Sequence, residues 1–254
     1  MGVLAVTGSA GGIGGAIRRR IEAEGHRVIG VDVRDTEVTA DLSVPDGRVT
    51  ACVAVADQAG GTLDGLVVAA GIGGSTNAPT DMVVRINYFG AVALLDGLRG
   101  ALEGGALGAA VVIASNSATL MPITDTALVD ACLAGDEDAA IAAAATMDGE
   151  TVYAHSKNAL ARMVRRLAVA WAPALRVNSV APGPVLTGLT EEALRHPVTG
   201  DLIRGLPIPL DRWGEQDEIA AAVWFLLSTE STWTTGSTLF VDGGTDAMFG
   251  PDRI

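Results

Sequence analysis

Aromatic side chains make up only 4% of the 254 residues, and Lys157 is the single lysine among 17 basic residues. With so few aromatics, the 49% hydrophobic fraction is aliphatic and Ala-rich, while 32 glycines imply many tight turns and close backbone approaches. That is an α/β composition. Positive charge is also short: 17 Lys+Arg against 30 Asp+Glu leave a formal charge of −13 and a pI near 4.5. Nucleic acid and anionic membrane, which need a basic footprint, are therefore excluded as expected partners. Cys52 and Cys132 cannot build a disulfide framework in a chain this long, so buried or inert thiols in a reducing compartment are expected. No apolar run approaches the roughly 20 residues of a membrane span; the longest, around 107–114 and 139–145, fall far short. The opening MGVLAVTGSAGG has no basic region before an apolar stretch, and Val6 stands where myristoylation wants Ser or Thr, so a cytoplasmic location is expected. His26, His155 and His196 show no ligand-like spacing, and no metal is expected.

What the chain does have is alternation. Short aliphatic runs at 3–7, 27–31, 66–69, 109–115, 176–181 and 238–241 are separated by helix-length segments. This pattern predicts one domain over 1–254, a doubly wound parallel sheet of about seven strands with helices on both faces. Residues 121–150, with acidic Asp136, Glu137 and Asp138 before AAIAAAA, break the pattern and read as an inserted helical segment.

Directly after the first strand comes TGSAGGIGG, running into GAIRRRIEAEG, where Gly25 supplies a helix stop. A glycine loop between strand and helix lets backbone amides and a helix N-terminus meet a pyrophosphate. Gly8, Gly12 and Gly14 are the expected cradle. The second strand leads into Asp32, 18 positions past Gly14 (32 − 14), where a carboxylate would hold the adenosine ribose hydroxyls and repel a 2′-phosphate. NAD is thus favoured over NADP, although Arg34 could soften that repulsion. Asp41 and Leu42 follow in the next extended segment and could reach the adenine edge, with turn formation the rival role for Asp41.

YAHSK places Tyr153 and Lys157 at i, i+4 on one helix face. An ammonium beside a phenol of ordinary pKa ~10 stabilises the phenolate and would make Tyr153 a proton donor and acceptor. Arginine serves wherever else a cation was useful, so a lone lysine suggests a site that needs a compact point charge. Ser115 and Ser117 end an apolar strand at the sheet edge where open α/β sheets bind ligands; Ser115 is the expected hydroxyl on a substrate oxygen and Ser117 the alternative. Asn87, on an apolar helical pattern, is either structurally satisfied or functional. RVNSVAPGPVLT sets a turn at Pro182 and Gly183, with Thr187 placed to bond a carboxamide. The stretch 186–213 is bounded by prolines and glycines like a lid, and Leu186, Leu189, Leu194, Leu202, Ile203 and Leu206 either wall a site or pack on the domain.

Jointly, Thr7-Gly8-x-x-x-Gly12-Ile13-Gly14, Asp32, Asn87, Ser115, Tyr153-x-x-x-Lys157, Pro182-Gly183-x-x-x-Thr187 and the terminal V-D-G-G resemble the short-chain dehydrogenase/reductase family over almost the whole chain. The resemblance implies a Rossmann fold, NAD as cofactor and hydride transfer between an alcohol and a ketone. It assigns Tyr153 the proton, Ser115 the substrate oxygen, Lys157 the nicotinamide ribose, and Asn87 a water linking Lys157 to solvent. It extends the cofactor contacts to Ser9, Gly11, Ala70, Gly71 and Val185, and implies a homodimer or homotetramer. Two departures stand out. V-A-A-G replaces N-N-A-G after the fourth strand, removing polar anchoring of the central sheet. Ser115 and Tyr153 are 38 positions apart (153 − 115), a gap much shorter in most members. The extra segment resembles that of a bacterial 3α-hydroxysteroid dehydrogenase/carbonyl reductase subgroup, which implies a small apolar alcohol or ketone as substrate, a steroid among them. Another cyclic or aromatic alcohol, and a non-catalytic NAD sensor, are the alternatives. An epimerase is disfavoured by its different glycine spacing, T-G-x-x-G-x-x-G.

Overall fold

The computed structural model describes residues 1–74 and 78–252, without the side chains of Leu189, Pro197 and Val198. The first half of the chain runs β1 (Val3–Thr7), α1 (Gly12–Ala23), β2 (Arg27–Asp32), β3 (Val38–Thr39), α2 (Pro45–Gln58), β4 (Gly65–Val68), α3 (Thr80–Val84), a widened π-type turn Arg85–Gly90, and α4 (Ala91–Glu103). The second half runs β5 (Ala109–Ile113), α5 (Ser117–Leu120), α6 (Ala127–Ala134), α7 (Glu137–Ala144), α8 (Gly149–Ala170), β6 (Arg176–Pro182), α9 (Gly188–Arg195), α10 (Pro197–Gly205), α11 (Gln216–Leu227), β7 (Thr238–Val241) and α12 (Thr245–Phe249).

All strand pairs are parallel, in the order β3-β2-β1-β4-β5-β6-β7. The order reverses between β1 and β4, so a crevice opens beyond their C-terminal ends, where such sheets take ligands. Central strands are buried on both faces, as their near-continuous apolar sequences require. One core packs α1 and α11 on the sheet through Ile17, Ile21, Ile219 and Val223. The other packs α4 and α8, with α6 and α7 behind them, through Leu94, Leu98, Leu128, Leu160 and Val164. The expected insertion at 121–150 thus carries two short helices, α6 laid against α8 and α7 packed on α6 and α3. β3, absent from the strands read in the sequence, is only two residues long.

The sheet is stapled where V-A-A-G was expected to weaken it. Thr7 Oγ1 accepts from the amides of both Ala69 and Ala70, at 3.0 Å each, so a hydroxyl of β1 supplies the polar anchor that the fourth strand's own side chains do not. Arg176, opening β6, gathers the carbonyls of Leu226, Leu227 and Ser228 at 2.8–3.2 Å and that of Ser231 at 3.0 Å. A cation there closes the C-terminus of α11, where orphan carbonyls and the helix dipole favour it.

Tyr88 is 1% exposed, packs edge-on to Phe89 at 5.1 Å, and its hydroxyl has no partner among the described residues. A buried unpaired hydroxyl costs stability. Tyr88→Phe keeps the ring and removes the cost, so a gain of about 1 kcal/mol is expected, read as a Tm about 2–4 °C higher in thermal denaturation; an unchanged or lower Tm rejects it.

Candidate active site

The crevice begins at the glycine loop. Gly8 and Gly12 have φ of +69° and +54°, which glycine adopts without strain. A Cβ on Gly14 would fall 2.1 Å from the Gly8 carbonyl oxygen, so α1 seats directly on the loop, whereas a Cβ on Gly11 or Gly12 would meet open space. Gly11 caps α1 without any side-chain bond. Free amides at an open helix start, with no side chain in the way, fit a diphosphate. Ile13 packs against the core beneath, and the Ser9 hydroxyl bonds Thr36 Oγ1 at 3.0 Å.

Asp32 ends β2 with Oδ2 accepting from the Ala10 amide at 3.0 Å and Oδ1 from Val33 at 2.7 Å. Its carboxylate therefore lies against the glycine loop. The Arg34 side chain is 81% exposed and lies 3.9 Å from the Asp35 carboxylate. Asp41 turns back on its own backbone, accepting from the Ser43 amide at 2.8 Å, the turn-forming role; the Ser43 hydroxyl, and with it that amide, holds its carboxyl below the usual range. Leu42 is buried, and its carbonyl is taken by Arg48 at 2.8 Å.

Glu37, its partner Arg18 and the contact of Gly30 with Thr36 were not singled out in the sequence reading. Glu37 accepts from the Gly30 amide at 3.0 Å and bidentately from Arg18 at 2.9 and 2.6 Å, and Arg18 draws its pKa down to about 2. A Cβ on Gly30 would clash at 2.2 Å with Thr36 Oγ1 and at 2.3 Å with Ser9 Oγ. The glycine inside the β2 run was the signal, since mid-strand glycine marks a close approach.

At the other side of the crevice, α8 presents Tyr153 and Lys157. The Lys157 ammonium, 4% exposed, donates to the Ile113 carbonyl at 2.8 Å and lies 5.9 Å from the Tyr153 ring centre. Burial draws its pKa down to about 8. Burial also dominates Tyr153, raising its pKa above the ordinary phenol value, with a bond from Ser115 pulling it down and Glu150 pushing it up. In the protein alone, then, the phenol is not acidified as the i, i+4 ammonium led one to expect. Ser115 and Ser117 both face the site. Ser117 donates from its amide at 3.2 Å and its hydroxyl at 3.0 Å to Ser115 Oγ, leaving Ser115 as the hydroxyl turned to Tyr153.

Asn87, fully buried in the widened turn, clamps the backbone of Ile72 through both ends of its amide, each at 2.9 Å. A Cβ on Gly71 would meet Asn87 Oδ1 at 3.1 Å and Lys157 Nζ at 3.5 Å, so Gly71 leaves the floor of the crevice clear between them; Ala70 precedes it.

Pro182 ends β6 and accepts from the Asn116 amide at 3.0 Å. A Cβ on Gly183 would fall 2.7 Å from Asp242 Cβ. Val185 is buried and bridges to Gly214. Thr187 is the N-cap of α9, its hydroxyl accepting from the Thr190 amide at 3.2 Å, so the group expected to bond a carboxamide is used locally. Of the proposed apolar wall, Leu186 and Leu202 are exposed, and Leu194, Ile203 and Leu206 are half-buried; the Leu189 side chain lies outside the described residues. Thr199 of α10 donates to Glu150 at 3.1 Å, tying this segment to the start of α8.

Comparison with known proteins bears on this geometry. The model of an NAD dependent epimerase/dehydratase family matches residues 4–184, and that of an enoyl-(acyl carrier protein) reductase matches residues 138–246. The chain is 39% identical to a 3-alpha-hydroxysteroid dehydrogenase/carbonyl reductase of Comamonas testosteroni, over 100% of both chains. It resembles a crystal structure of the 3-alpha-hydroxysteroid dehydrogenase of Pseudomonas sp. B-0831, complexed with NADH, at 44% identity and a TM-score of 0.96, covering 99% of this chain and 100% of that one. A Thermoplasma acidophilum aldohexose dehydrogenase follows at 25% identity and a TM-score of 0.77, covering 96% and 93%.

Proposed function

Because the chain belongs to the short-chain dehydrogenase/reductase family, whose fold the epimerase/dehydratase model shares over residues 4–184, we propose that it is an NAD-dependent oxidoreductase interconverting a secondary alcohol and a ketone, with 3α-hydroxysteroids as substrate class. The observation that carries this is the meeting of Ser115, Tyr153 and Lys157 beside Gly71 at the end of β5, in a chain alike over its full length to a hydroxysteroid dehydrogenase.

When bound, NAD would supply the hydride chemistry at the carbinol carbon. The glycine loop and the free start of α1 hold its diphosphate, and Asp32 its adenosine ribose. Ser115 positions the substrate oxygen, its hydroxyl oriented by Ser117. Tyr153 gives that oxygen a proton on reduction and takes it on oxidation. Lys157, fixed on the Ile113 carbonyl, binds the nicotinamide ribose and steadies charge developing on Tyr153. Asn87 holds the loop at Ile72 and borders Lys157. Residues 186–213 act as the substrate lid, fastened to α8 by Thr199 and Glu150.

Absorbance at the NADH band, with NAD and a panel of alcohols led by androsterone, tests the proposal. NAD reduction on the steroid supports it; turnover confined to other cyclic or aromatic alcohols keeps the chemistry and replaces the substrate class. NADH binding without turnover of any alcohol rejects catalysis in favour of sensing. Asp32→Ala is expected to raise the kcat/KM ratio for NADP over NAD by about tenfold or more, since the repelling carboxylate is gone and Arg34 is free to turn in; an unchanged ratio assigns cofactor choice elsewhere.

We also propose a cytoplasmic homodimer. β7 pairs only with β6 among the described residues, and Leu239 on it, with Trp233, Met248 and Phe249, is exposed, an apolar edge suited to a second copy. Helix α6 covers α8 on its outer side, with α7 packed on α6, which leaves that face unavailable. Light scattering should give a dimer mass, and a tetramer mass overturns it. No helix among the described residues is long and apolar enough to cross a membrane.

A further inference from the structure

The mechanism leaves one buried cation unexplained. Arg48, on the first turns of α2, is 6% exposed and uses its guanidinium on three segments at once. Nε donates to the Leu42 carbonyl at 2.8 Å, and one terminal nitrogen reaches the carbonyls of Ser43 at 3.3 Å and Arg85 at 3.2 Å. Both terminal nitrogens are met by Glu137, at 2.7 and 2.8 Å, in a two-pronged pair. Arg85 adds a second contact to the same carboxylate at 3.2 Å and pairs with Asp81 at 3.3 Å. Glu137 opens α7, so it comes from the segment that lengthens the path between Ser115 and Tyr153.

The carbonyls that Arg48 gathers belong to two stretches bordering the crevice. Leu42 and Ser43 form the turn after β3, beside the adenine end; Arg85 heads the widened turn whose Asn87 clamps Ile72 next to Gly71 and Lys157. A buried guanidinium stays in place only while its charge is met. Without Glu137 it would turn toward water and release all three carbonyls. We propose that Glu137 is a positioning residue for the dinucleotide: acting through Arg48 from 89 residues away, it sets both flanks of the crevice that the cofactor spans. The inference rests on the cofactor assignment above.

The test is Glu137→Ala, with Glu137→Gln as the variant that keeps the shape and removes the charge. NADH dissociation constants come from cofactor fluorescence, amide hydrogen exchange covers 42–43 and 86–89, and kcat is taken at saturating NAD. The dissociation constant should rise about tenfold in Glu137→Ala and less in Glu137→Gln, with faster exchange at both stretches, while kcat stays within about twofold. A lower Tm with unchanged NADH affinity and exchange makes the pair merely structural and overturns the proposal. Should Glu137→Ala fail to fold, Glu137→Gln with wild-type affinity overturns it equally. A wild-type protein that binds no NADH brings down the cofactor assignment itself, and this inference with it, and is seen before any variant is compared.

Discussion

Tyr153→Phe is expected to lower kcat by about 10³–10⁴-fold in both directions, the upper range for loss of a positioned proton donor, while the NADH dissociation constant changes by no more than about threefold. The substitution keeps the ring packed beside Lys157 and removes only the oxygen. Burial holds the phenol of the protein alone above its ordinary pKa, against the opposing bond from Ser115. The proton therefore stays on Tyr153 through neutral pH. Ketone reduction, which consumes it, should be flat there and fall only as Tyr153 ionises at alkaline pH. Alcohol oxidation, which needs Tyr153 as the acceptor, should climb with pH over the same range. Steady-state rates of Tyr153→Phe in both directions, beside the wild-type pH profile, check this. Substantial residual turnover would move the proton to the Ser115–Ser117 pair.

Lys157→Met should separate activity from stability. Burial takes the ammonium from an ordinary value of 10.5 to about 8, a displacement corresponding to roughly 3 kcal/mol of folding free energy spent on keeping the charged form inside. Below pH 8 the folded and unfolded states both carry the proton, and that cost stands in full. Between about pH 8 and 10.5 the unfolded chain binds more protons than the folded one, so stability of the protein without cofactor rises with pH across that window. Methionine removes the cost and fills similar volume, but it orphans the Ile113 carbonyl that Lys157 now satisfies, returning about 1–3 kcal/mol. A net gain of about 1 kcal/mol at pH 7, and loss of the alkaline rise, are expected in chemical denaturation. The kcat should drop by about 10²–10⁴-fold. Equal or lower stability at pH 7 together with a preserved alkaline rise would assign the titration to another group.

Much of this was legible in the sequence because it is local. A glycine loop between strand and helix, an acidic residue at the next strand end and a Tyr–Lys pair one helical turn apart are patterns whose geometry follows from spacing alone. The parallel sheet was equally visible in its aliphatic strands, apart from β3, whose two residues are too few to make a pattern. What stayed hidden depends on where side chains turn. Asp41 and Thr187 have oxygens that suit a ligand equally well, and the fold directs both to their own backbone. Its place at the strand end favours Ser115 over Ser117, but the bond that Ser117 donates to Ser115 depends on side-chain directions that the sequence does not show. Arg48 and Glu137 lie 89 positions apart, with no periodicity to connect them.

Arg176 carries a consequence for the order in which the molecule is made. Its guanidinium closes α11 through carbonyls about 50 residues further along the chain. A ribosome therefore releases β6 well before the groups that satisfy the cation at its start. The N-terminal strands can pair as they emerge, since domains gather from the N-terminus during synthesis, but β6 can settle against β5 only with Arg176 still turned to water. Arrival of α11 completes the charge and lets β7 add to β6, so β6, α11 and β7 should dock together in a late step.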